Sequence, residues 1–158
     1  MKHISMIVLA IAAAILPALA QDQVPEAYRP PAVGDTYIPN LSDIMGATQL
    51  RHLKLWYAGK LRNWELASFE LDQIKDSFNQ AARLYRNIPI EKIIVIQQSL
   101  AAVDTAIKAR DSARFANAFT ALTATCNGCH QGANVGFITI RKPTASPFSN
   151  QLFMPKGK

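Results

Sequence analysis

Residues 90–110 read IEKIIVIQQSLAAVDTAIKAR. The run Ile93-Ile94-Val95-Ile96, taken alone, has the short apolar, β-branched character of a buried strand. Its continuation decides otherwise. Apolar residues recur at Ile93, Ile96, Leu100, Val103 and Ile107, in steps of three and four, which line one face of a helix.

The same spacing extends outward in both directions. Upstream, about Trp64 to Arg86 carries Ala67, Leu71, Ile74, Phe78, Ala81 and Tyr85 on one stripe, with Asn63 placed to cap the first turn. Before that, about Ser42 to Lys60 carries Met45, Thr48, His52 and Leu55. Downstream, a segment starting near Asp111, another N-cap residue, carries Phe115, Phe119, Leu122, Cys126 and Cys129, and Gly132 can end it. The joining pieces, near 61–63, 87–89 and 110–111, are short, so consecutive helices should be antiparallel neighbours. The expected fold is all-α, an up-down-up-down four-helix bundle over residues 41–131. Residues 132–158 hold Gly136, Pro143, Pro147 and Pro155 and read as an irregular C-terminal extension.

Ahead of the bundle, residues 21–40 contain Pro25, Pro30, Pro31 and Pro39 and read as an extended lead-in. Residues 1–20 have the layout of a secretory signal peptide: Lys2, an apolar core from Ile7 to Ile15, a break at Pro17, and Ala18-Leu19-Ala20 as a cleavage pattern. That core falls short of the roughly 20 residues that span a bilayer. The expectation is an exported protein without stable membrane insertion. After removal of the leader, 16 of 17 basic residues and all 11 acidic ones remain, a formal charge of +5. The basic residues are scattered, without the runs or aromatic interleaving of a nucleic-acid surface, so the mild positive field is read as help in docking acidic partners.

The chemistry concentrates in residues 124–132, ATCNGCHQG, which hold the only two cysteines of the chain, Cys126 and Cys129, followed at once by His130. C-x-x-C-H is the attachment signature for c-type haem. Residues three and four apart share a helix face. Two thiols at that spacing can each add across a vinyl group to form thioethers on one ring edge, with the next imidazole bound to the iron. The rival readings fit less well. A thioredoxin-type pair needs a βαβ setting. A disulfide is sterically poor within a helix. Zinc needs four ligands where the motif supplies three, and His52 as the fourth is off the usual spacing. The sequence presents no Ser/His/Asp set, phosphate loop or second metal cluster, so an enzyme is not expected.

A four-helix chain with one C-x-x-C-H late in its fourth helix resembles the class II cytochromes c, typified by cytochrome c prime. The resemblance covers residues 41–131. It implies an antiparallel bundle, one covalent haem c near one end and a periplasmic location, with Cys126 and Cys129 as attachment residues and His130 as the proximal iron ligand. The chain departs from that family in the 28 residues after His130. Segment QLRHLKLWYA (49–58) and the tail RKPTASPFSNQ (141–151) look more like a less described group of exported monohaem cytochromes.

The opposite face of the iron separates two functions: a second protein ligand favours electron transfer, and an open site permits binding or sensing of NO or CO. Counting 19 residues down each helix from the shared upper end puts Leu41 level with His130 and Met45 level with Cys126. A boundary shift of four residues moves this by about 6 Å. Met45 is therefore the first candidate for a distal ligand, His52 a more distant one, and Met154 in the tail a third. Arg51 and Lys54 flank His52 and are candidates for contact with haem propionates. Trp56 and Trp64 read as packing residues. Phe137, Phe148 and Phe153 are the tail residues expected to cover a haem edge.

Overall fold

The structure, a computed structural model, describes residues 37–85 and 87–156. The signal peptide and most of the lead-in lie outside the described residues. Four antiparallel helices form the bundle: α1 (Leu41–Lys60), α2 (Trp64–Leu84), α3 (Ile90–Lys108) and α4 (Ser112–Gly132). None of them is long and apolar enough to cross a membrane. Residues 133–156 contain no helix or strand.

The ambiguous stretch in α3 resolves cleanly. Ile93 and Ile96 are 8% and 3% exposed, while Ile94 and Val95 between them are each 47% exposed. A strand would have paired Ile93 with Val95 on one face; the helix pairs it with Ile96. Both expected caps form. Asp111 accepts from the backbone N–H groups of Ala113 and Arg114, each at 3.0 Å, and Asn63 accepts from Leu66 at 3.2 Å.

Three helices end alike. Arg62, Arg110 and Asn134 follow α1, α3 and α4 with φ of 61°, 52° and 59°. In each case the next N–H reaches back into the last turn: Asn63 to Ala58, Asp111 to Ala106, and Val135 to His130. This is the Schellman arrangement, built here without glycine at the left-handed position. Gly132 is the last residue of α4, two places before the residue that turns the chain.

α1 packs most extensively on α2, and α3 on α4, whereas the α1–α4 seam is the thinnest of the four seams between neighbouring helices. The core runs up the middle through Leu55, Leu71, Ile74, Leu100, Val103, Phe115, Phe119 and Leu122. One charge lies inside it. Glu70 is 1% exposed and is paired with Arg51 at 3.2 Å.

The tail travels up the outside of α1. Lys54 lies 5.4 Å from the centre of the Phe148 ring, Phe153 packs 5.8 Å from Tyr57, and Asn63 Nδ2 donates to the carbonyl of Met154 at 3.3 Å.

Candidate functional site

The contacts along the α1–α4 seam fix its register. His52 meets Thr123, Trp56 meets Phe119, and Gly59 faces Phe115. Each step up α1 is thus matched by a step down α4. Continuing downward places Thr48 level with Asn127 and Met45 level with His130. The offset is one turn from the value obtained by counting from the loop, because packed side chains set the register.

At the lower end of α4, Cys126, Cys129 and His130 are all half-buried, and both thiols are free. Burial, and next the neighbouring Cys129, push the Cys126 thiol up to about 11. It remains a neutral thiol near pH 7, unlike the activated thiolate of a redox enzyme. Among the described residues, no three His, Cys, Asp or Glu side chains gather as a chelating group.

Beyond Gly132 the chain doubles back beneath the motif and is fastened to it twice. Asn127 Oδ1 accepts from the backbone N–H of Ile140 and its Nδ2 donates to the same residue's carbonyl, both at 2.8 Å. Two residues earlier, the carbonyl of Ile138 lies 2.7 Å from His130 Nδ1. A carbonyl only accepts, so Nδ1 carries a hydrogen, and in the neutral tautomer this bond selects, Nε2 holds the lone pair. This is how a protein commonly orients a metal-binding imidazole.

His52 is differently committed. It is 5% exposed, its ring lies 4.3 Å from Phe119, and its Nε2 is 2.9 Å from Thr123 Oγ1. The single hydroxyl hydrogen of Thr123 goes to the Phe119 carbonyl at 2.8 Å, so His52 Nε2 donates to Thr123. Burial lowers the His52 pKa to about 4, and the ring is neutral at physiological pH. Met45 is half-buried and Met154 exposed. Arg51 faces α2, where it holds Glu70. Trp56 is buried against Phe115 and Phe119, and Trp64 meets Phe115 edge-on. Phe148 and Phe153 pack higher up beside α1, and Phe137 is 83% exposed.

Between the lower half of α1 and residues 139–143 lies a cavity of about 460 Å³, within the range of cofactor sites. Gly46, Gln49, Leu50, Leu53 and His52 line it from α1, and Thr139, Ile140, Arg141 and Pro143 from the tail. It adjoins the motif, since Ile140 is the residue clamped by Asn127 and His52 bonds to α4 one turn above Cys126. Gly46 sits in mid-helix where an added Cβ would have no neighbour within 4 Å.

Sequence reasoning passed over Asn127, Gly46, Arg141 and the Ile138 carbonyl. The signal available was small: an asparagine inside the motif and a glycine inside an otherwise regular helix, both poor helix formers. No family model, curated protein or solved structure matches the chain.

Proposed function

We propose that this chain is an exported monohaem c-type cytochrome that carries electrons and is not an enzyme. One haem c is held through Cys126 and Cys129, with His130 as the proximal iron ligand. The observation that carries the reading is the bond from His130 Nδ1 to the Ile138 carbonyl, which leaves Nε2 available directly beside two free thiols. The cavity next to the motif offers a partly apolar wall toward a flat ring: Gly46 leaves its wall without a side chain, and Leu50, Leu53 and Ile140 supply apolar surface.

The haem would supply one-electron chemistry at its iron. The chain's own residues attach it, orient the imidazole through Ile138, and exclude water with the α1 face and the tail. Met45 is the distal ligand of this reading, because it shares the level of His130 on the facing stripe. His52 would have to break its bond to Thr123 to serve. The periplasm is the compartment this reading requires. The charge of +5 suits a redox partner with an acidic docking surface.

The test is to export the full chain in a bacterium that attaches haem and to record a pyridine haemochrome. Absorption spectra of both oxidation states follow, with and without carbon monoxide. Thioether-linked haem and low-spin spectra are expected, and M45A should convert the iron to high spin. Periplasmic protein without covalent haem would overturn the reading. A high-spin ferrous spectrum that changes with carbon monoxide would assign gas binding in place of electron transfer.

A further inference from the structure

We infer that the cavity between α1 and residues 139–143 receives the carboxylate-bearing edge of the tetrapyrrole, with Arg141 as its charge partner. This rests on the covalent-haem reading and extends it to a residue in the C-terminal tail.

The substituents of the ring set its orientation. Its vinyl-derived edge is fixed on α4 by Cys126 and Cys129, and its two propionates project from the opposite edge. They must therefore point away from α4, and the neighbouring cavity is walled by α1 and the tail. No acidic residue lines that cavity; its charged member is Arg141. The nearby cations are otherwise engaged. Arg51 holds the buried Glu70 at 3.2 Å, Lys54 lies over Phe148, and Lys142 lies 5.1 Å from the centre of the Trp56 ring. Arg141 is exposed and takes part in none of the ion pairs among the described residues. A guanidinium offers a planar fork that matches a carboxylate. Asn127 supplies the positioning: its two bonds to Ile140 hold the residue immediately before Arg141 against the motif.

The experiment compares R141E with K142E in the full-length exported protein. The two variants change charge equally at adjacent positions, and only the first alters the cavity lining. R141E should lower the reduction potential at least twice as far as K142E, because a cation beside the propionates disfavours the oxidised, more positive centre. R141K should recover more than half of that loss. Equal shifts in R141E and K142E, or an R141K protein as low as R141E, would overturn the assignment while leaving haem attachment intact. Wild-type protein lacking thioether haem would overturn the functional reading instead. The cavity is then decided by fluorescence titration of the full chain with metal-free protoporphyrin IX against its dimethyl ester. A roughly tenfold preference for the diacid that R141E abolishes would support it, on the usual strength of a charge-assisted hydrogen bond. Equal affinities would refute it.

Discussion

α1 contains two glycines, Gly46 and Gly59, and their surroundings are opposite. A Cβ on Gly59 would collide with the ring of Phe115, itself 1% exposed, whereas a Cβ on Gly46 would meet nothing within 4 Å. The first glycine lets an aromatic ring from α4 press against the α1 backbone. The second leaves room along the same helix, about three and a half turns lower, beside the cavity. One seam thus changes from a dry, interlocked half to an open half, and His52 with Thr123 marks the boundary between them.

The largest way to break this contrast acts at the boundary. His52 has a folded pKa of about 4 against an ordinary 6.5, so the unfolded chain takes up its proton first as pH falls. The stability conferred by the neutral ring is present above pH 6.5 and is lost as pH falls toward 4. The full loss is roughly 3 kcal/mol, from 1.36 kcal/mol per pKa unit. Urea midpoints measured from pH 7.5 to 4 should fall accordingly, and H52Q should flatten the curve; a midpoint independent of pH would contradict a neutral buried ring.

The two glycines give the next test, with opposite signs for the same substitution. G59A should destabilise the chain by about 2 kcal/mol through forced displacement of Phe115, lowering both urea midpoint and melting temperature. G46A should instead raise stability by about 0.5–1 kcal/mol, the ordinary gain for alanine in a helix interior. Loss of stability in both would mean that the lower half of the seam is packed as tightly as the upper. On the functional reading, G46F should also reduce covalent haem per mole of periplasmic protein severalfold, measured by haemochrome, while thermal stability is kept.

The smallest effect lies at the far end of the bundle. Arg110 adopts φ of 52°, a conformation that costs a non-glycine residue roughly 1–2 kcal/mol. R110G should therefore raise the urea midpoint by the equivalent of about 0.5 kcal/mol, after the entropy of the added glycine is deducted.

The bundle was legible in the sequence because helical burial repeats every three to four residues and short connections leave little choice of topology. The caps at Asn63 and Asp111 were legible for the same local reason. α2 ends at Leu84, slightly before the Arg86 expected from its stripe. The candidate site was only half legible. Cys126, Cys129 and His130 announce themselves by spacing, but their counterparts on α1 depend on register, and register depends on how Phe115 seats on Gly59. Arg51 shows why adjacency misleads: next to His52 in sequence, it is turned about 100° around the helix and faces Glu70. The tail was opaque because its attachments are scattered hydrogen bonds and isolated rings, which leave no periodic trace.

The route of the tail has a consequence for the order of assembly. The α1–α2 and α3–α4 pairs are neighbours in sequence, so each can dock soon after it is made. The bond between Asn63 and Met154 joins residues 91 apart. Closing so long a loop is entropically costly and comes late in folding. The two helical hairpins should therefore stand together while the stretch around Met154 is still unattached, whereas Ile140, fastened to Asn127 only 13 places away, can dock early. The far end of the tail is thus the last piece to latch onto α1, a clasp closed over helices already in place.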